Sequence, residues 1–195
     1  MARGPRNQLR LIGGEWRGRR LAFPDVPGLR PTGDRIRETL FNWLAPCLPG
    51  ARCLDLFAGS GALGLEAASR GASRVVMLDT VPAVTRLLRE HCATLGATGV
   101  TVLQADALRY LDGPAEPFDI VFLDPPFHQG LLRPCCERLE SHGWLASRAW
   151  IYLELERELG EPELPAGWEL HRAKTAGEVG YFLARRMESP PDPQD

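Results

Sequence analysis

Asp124, Pro125, Pro126 and Phe127 follow the apolar run Phe118, Ile120, Val121, Phe122 and Leu123. That order puts a carboxylate, a rigid diproline and an aromatic ring where a buried strand gives way to a loop. In an open α/β sheet, ligands collect beyond the carboxyl ends of the strands. The four residues suit a flat base bearing an exocyclic amine. Asp124 and the Pro125 carbonyl can accept the two amine hydrogens, the proline rings fix where that carbonyl points, and Phe127 can stack on the base. The plainer alternative is a strand closed by a Pro-Pro turn beside a core phenylalanine.

A second motif favours chemistry. Cys53, Leu54, Asp55, Leu56 and Phe57 run into Ala58, Gly59, Ser60, Gly61, Ala62, Leu63 and Gly64, with a helical stretch to Arg70. Glycines there let backbone N–H groups come close to a ligand, and the helix start behind them favours polar or anionic groups. Gly59, Gly61 and Gly64 also fit the dinucleotide fingerprint, and Asp79, after Val75 to Leu78, supplies the acid about 20 residues on that binds a ribose. An NAD-binding oxidoreductase is therefore one alternative. Asp55, just before the glycines, suits instead the amino-acid end of S-adenosylmethionine, and Asp124-Pro-Pro-Phe127 has no evident role in hydride transfer.

Asp55-Leu-Phe-Ala-Gly-Ser-Gly61 together with Asp124-Pro-Pro-Phe127 resembles the Rossmann-like amino methyltransferases. Three flanking motifs narrow the resemblance to the RsmD family, bacterial enzymes that methylate N2 of a guanine in small-subunit (16S) ribosomal RNA. They are Leu11-Ile-Gly-Gly-Glu-Trp-Arg-Gly-Arg-Arg-Leu21, Arg30-Pro-Thr-Gly-Asp-Arg-Ile-Arg-Glu-Thr-Leu-Phe-Asn-Trp-Leu44 and Lys174-Thr-Ala-Gly-Glu-Val-Gly-Tyr181. The resemblance spans roughly residues 8 to 186. It implies S-adenosylmethionine as cofactor and 16S RNA, or the assembling small subunit, as partner. Asp55, Gly59 and Gly61 would hold its methionine part, Asp79 the ribose hydroxyls and Asp106 the adenine amine, with Phe57 and Ser60 also at the cofactor. For Asp106 a helix N-cap is the competing role. Asp124, Pro125, Pro126 and Phe127 would form the catalytic loop. Such families usually carry a second acid two residues beyond the ribose ligand; here that place is Val81. Asp-Pro-Pro-Phe is shared with adenine-N6 methyltransferases of DNA or RNA, which are the nearest rivals.

The elements that must position these residues follow an α/β alternation. Strands are expected near 52–57, 74–79, 100–105, 118–124 and 148–155, with helices near 62–70, 81–95 and 129–141, a pattern that predicts a parallel doubly wound sheet. Thr32 or Asp34 is expected to cap a helix whose Ile36, Leu40, Phe41 and Leu44 share one face. By resemblance, the whole is a Rossmann-like class I methyltransferase fold with a mostly parallel seven-stranded sheet. Segments 168–175 and 179–186 would form its C-terminal antiparallel hairpin, and residues 8–23 a small basic N-terminal hairpin. The expected divisions are a basic extension over 1–30, the methyltransferase domain over 31–187 and a disordered tail over 188–195.

Charge is polarised along the chain. Residues 1–37 hold nine arginines against three acids, a balance of +6, although the whole chain carries −2. A nucleic acid responds to local rather than net charge, so Arg10, Arg17, Arg19, Arg20, Arg35 and Lys174 are the expected RNA contacts. Residues 1–7 are expected to be a disordered basic tail. Cys47, Cys53, Cys92, Cys135 and Cys136 are odd in number and lack a Cys-x-x-Cys spacing, so neither a disulfide frame nor a metal site is expected. Without a long apolar run or a signal-peptide pattern, a cytoplasmic protein with no membrane partner is expected. A monomer is expected.

Overall fold

The computed structural model describes residues 7–24, 26 and 32–187. The tails expected at 1–7 and 188–195 lie outside that range except for Asn7, as do Arg30 and Pro31 of the second flanking motif. The described chain opens with β1 (Gln8–Arg10) and β2 (Arg20–Ala22), an antiparallel pair, followed by α1 (Asp34–Leu44). Then come β3 (Arg52–Asp55), α2 (Gly64–Ser69), β4 (Arg74–Asp79), α3 (Pro82–Leu95), β5 (Val100–Gln104), α4 (Ala107–Leu111) and β6 (Phe118–Leu123). The chain continues with α5 (Leu132–Ser141), β7 (Leu145–Glu156), a 3-10 turn (Arg157–Leu159), β8 (Trp168–Ala176) and β9 (Val179–Arg186).

The sheet order is β5-β4-β3-β6-β7-β9-β8. β3, β4, β5, β6 and β7 pair in parallel, and β9 is antiparallel to both β7 and β8. From β3 the chain moves outward through β4 and β5, then returns to β6 on the other side. That reversal makes the carboxyl ends of β3 and β6 the switch point at which doubly wound sheets bind ligands. The expected architecture is the observed one.

Both sheet faces are buried, which explains why the central strands read as continuous apolar runs. Cys53, Ile120, Phe122 and Tyr152 face the layer of α1, α2 and α3. Leu54, Val121, Leu123 and Leu153 face α4 and α5. No described helix is long and apolar enough to cross a membrane. Cys53, Cys135 and Cys136 are buried and Cys47 and Cys92 partly so, all five as free thiols.

Local differences from the sequence expectation have physical causes. α1 starts after Gly33 and no side chain caps it, because Asp34 is bonded instead to Arg37 and Arg10. β7 starts earlier than expected, its first half carrying exposed Arg148 and Ser147 on the way into the core. α4 has only five residues, too few for a periodic pattern to declare itself.

The basic hairpin packs into the same core as α1. Leu9, Leu11, Trp16 and Leu21 are buried in one cluster with Leu40, Phe41 and Leu65. Its turn lies directly on α2: the Ser69 hydroxyl donates to the Gly13 carbonyl and accepts from the Trp16 N–H, while the Glu15 N–H donates to the Ser69 carbonyl. Gly14, at φ +72°, lies so close that an added Cβ would fall 1.8 Å from the Ser69 carbonyl oxygen. Beneath it Glu66, fully buried, accepts from the Ile12 N–H, from Arg37 and from Arg70.

Candidate active site

Strand register gathers carboxyl groups at the switch point. Asp55 lies opposite Phe122, and Leu123 opposite Leu153. The next residues, Asp124 and Glu154, therefore stand about one strand spacing apart, roughly 4.8 Å. Side chains alternate along a strand, so Asp55, Asp124 and Glu154 share the face of Phe122 and Tyr152.

Asp124 directly follows β6, with its Oδ1 covered and without a hydrogen-bond partner. Burial pushes its carboxyl well above the usual range, and the charges of Asp55, Glu154 and Asp79 push it further. Glu154 is 7% exposed. Burial raises its carboxyl as well, against the lowering effect of the Tyr152 hydroxyl, which donates at 2.5 Å, and of a hydrogen bond with Thr32. Burial raises Asp55 from 3.8 to about 7, although the N–H groups of Gly64 and Phe57 oppose it.

The turn after β3 is shaped by two of these acids. Asp55, 1% exposed, accepts from the Gly64 N–H at 2.9 Å and the Phe57 N–H at 3.4 Å. Asp79, at the end of β4, accepts from Gly59 at 3.0 Å and from Val81 at 2.8 Å. The loop is thus tied to the strand ends on both sides, with Gly59 and Gly61 at positive φ. Gly64, the third glycine of the fingerprint, lets the helix pack closely on the sheet: a Cβ there would fall 2.4 Å from the Met77 sulfur. Phe57 and Gly59 are half-buried and Ser60 is buried. Asp106 is exposed at the N-cap of α4, one oxygen accepting the Arg109 N–H at 3.0 Å, so the competing N-cap role is occupied. Val81 precedes Pro82 as the N-cap residue of α3 and packs, partly buried, against the core.

Past Asp124, Pro125 is buried and Phe127 half-exposed. A cavity of about 300 Å³ opens beside them, bordered by Pro126, Phe127, Leu131, Glu154 and Leu159 among others, large enough for a small ligand. His128 adopts φ +61°, a sparsely populated region for a residue with a Cβ. Its N–H donates to Glu156 of β7 at 2.5 Å, which anchors the loop to the neighbouring strand.

The basic residues fall into distinct groups. Arg17, Arg19, Arg20 and Arg35 are exposed, and no side-chain bond to them is found among the described residues. Arg10 is exposed but pairs with Asp34 at 3.2 Å. Arg37, counted in the basic stretch, is 1% exposed and bound to Asp34, Glu66 and the carbonyls of Arg10 and Thr32. It belongs to the interior. Lys174 lies over the Trp43 ring at 5.8 Å, and Trp43 stacks on Tyr181 at 5.7 Å.

Sequence reasoning missed Glu154, Glu66, Arg37 and Trp43. Glu154 had a usable signal, because an acid in the Ile151 to Leu155 run of a doubly covered strand is rarely buried without a task.

Comparison with known proteins agrees with this geometry. Residues 9–185 match the family described as Conserved hypothetical protein 95. The chain is 54% identical over 179 residues to Ribosomal RNA small subunit methyltransferase D of Escherichia coli strain K12, covering 92% of this chain and 90% of that protein. To the protein of the same name from Haemophilus influenzae it is 43% identical over 183 residues, covering 91% and 94%. The solved structure of yhhF from Escherichia coli superposes with a TM-score of 0.88 at 49% identity, over 94% of this chain and 100% of that one.

Proposed function

We propose, for a chain that belongs to the Conserved hypothetical protein 95 family, the RsmD family, that it methylates the exocyclic N2 amine of one guanine in small-subunit ribosomal RNA. S-adenosylmethionine is the methyl donor, the protein acts as a cytoplasmic monomer, and its partner is the 16S RNA or the assembling subunit. The observation that carries the reading is the Asp124 carboxyl, partly buried, with Oδ1 covered and unpartnered, and set directly before the diproline.

The residues present fit the cofactor. Four carboxyls, of Asp55, Asp79, Asp124 and Glu154, converge on the crevice, and mutual repulsion with burial raises Asp55 and Asp124. Positive charge relieves that strain, and S-adenosylmethionine carries it on sulfur and on its amine. The pyrophosphate of NAD would add negative charge to the same place. Gly59, Ser60 and Gly61 offer backbone N–H groups to the methionine carboxylate. Asp55 builds their turn and adds its charge, and Phe57 flanks the turn. Asp79 keeps free lone pairs for the ribose, and Asp106 keeps its second oxygen for the adenine amine.

When bound, the cofactor supplies an electrophilic methyl group on cationic sulfur. The chain's own contribution is positioning and proton acceptance. Phe127 stacks on a base taken out of its helix, as chemistry on a base requires. Asp124 and the Pro125 carbonyl accept the two amine hydrogens, which favours a more tetrahedral nitrogen and frees its lone pair from the ring. Asp124 would take the proton that the amine gives up once methylated, and its raised affinity for protons suits that task. Exposed arginines of the hairpin hold phosphates.

Ribosomal RNA from a strain lacking this protein is expected to lose one N2-methylguanine and to regain it when the gene is restored. An unaltered guanine pattern, with an N6-methyladenine lost instead, would overturn the assignment.

A further inference from the structure

Asp-Pro-Pro-Phe recognises an amine on a flat ring, and guanine and adenine both present one. The distinguishing atom lies next to it. Guanine carries N1–H beside its N2 amine, whereas adenine presents the N1 lone pair beside its N6 amine. Resting on the guanine assignment above, we propose that Glu154 is the residue that reads this atom, its carboxylate accepting the N1–H of the target base.

Placement supports it. Leu123 and Leu153 are ladder partners, so Glu154 stands beside Asp124 on the same sheet face, about 4.8 Å away across the strands. It also borders the cavity beside Pro125 and Phe127. Glu154 is held in place by the Tyr152 hydroxyl, which donates at 2.5 Å. That bond leaves acceptor capacity on a carboxylate with about four lone-pair positions. No cationic side chain bonds it among the described residues, so a buried acid in mid-sheet lacks the partner such groups normally require. An N1–H provides a donor. An adenine would set its N1 lone pair against the carboxylate, a repulsive contact that rejects the wrong base.

The test compares two small-subunit RNAs, one with guanine at the methylated position and one with 2-aminopurine ligated there. 2-Aminopurine keeps the N2 amine and lacks the N1–H. The wild-type protein should prefer guanine in kcat/KM by about tenfold or more, as expected for a hydrogen bond to a charged group. Glu154→Gln, whose amide can also donate to a ring lone pair, should shrink that ratio severalfold, with its melting temperature reporting that the fold persists. Equal losses on both RNAs would make Glu154 a purely structural acid. A wild-type protein that methylates guanine but shows no preference for it would overturn the role of Glu154 and leave the assigned function standing. Failure to methylate the guanine RNA at all would overturn both.

Discussion

Asp55 accepts two backbone N–H bonds, an arrangement that on a protein surface would hold a carboxylate low. Its burial and its neighbour Asp79 nevertheless raise it to about 7. A folded-state value above the unfolded one means that the native state binds more protons, so stability falls as pH rises from about 4 to about 7. Asp124, raised by the same causes, adds to that loss. A cationic ligand counteracts it. S-adenosylmethionine should therefore raise the melting temperature over its neutral product, S-adenosylhomocysteine, by a larger margin at pH 8 than at pH 5. Equal margins at both pH values would show that the acid cluster does not sense the sulfonium. Asp124→Ala should abolish methyl transfer while leaving cofactor affinity nearly unchanged, because the role proposed for its carboxyl is toward the substrate amine. It should also hold or raise stability at pH 8, since an unpartnered, partly buried carboxyl is lost. Calorimetry showing a parallel collapse of cofactor binding would remove Asp124 from the substrate side.

Glu66 shows how one buried acid joins three elements, taking bonds from the hairpin at Ile12, from α1 at Arg37 and within α2 at Arg70. Glu66→Ala should leave the Arg37 guanidinium buried and short of its charge partner, costing about 3–5 kcal/mol in denaturant unfolding. A loss under about 1 kcal/mol would mean that Asp34 alone neutralises Arg37. This network also marks where sequence stops being informative. β4 was legible to the residue because Val75 to Leu78 is an unbroken apolar run ended by Asp79. The placement of Asp124 at a strand end was legible for the same reason. Arg37 was not, since a lone arginine between Ile36 and Leu40 looks like a solvated position until Glu66, far off in sequence, is brought beneath it. Glu154 joins Asp124 only through the β6–β7 ladder, a long-range pairing that local patterns do not specify.

Across the whole molecule, the positive charge that would meet RNA is smaller than the first 37 residues suggest. Arg37 is interior and Arg10 is paired with Asp34. Arg17, Arg19 and Arg20 remain exposed on a hairpin that is itself fixed to the domain through Glu66 and Ser69. A fixed hairpin presents its charges in constant relation to the crevice, so these three should act as phosphate contacts that orient the RNA without reading its sequence. Changing all three to Gln should weaken RNA binding and flatten its salt dependence by roughly 0.7 in log–log slope for each lost contact on single strands, about 2 in total. Cofactor affinity should stay the same, because none of the three borders the glycine loop. Arg10→Gln should add less, since that guanidinium already faces Asp34. A triple variant that keeps the original salt slope and methylates at the original rate would place the RNA surface elsewhere, with Lys174 and Arg35 the next positions to neutralise.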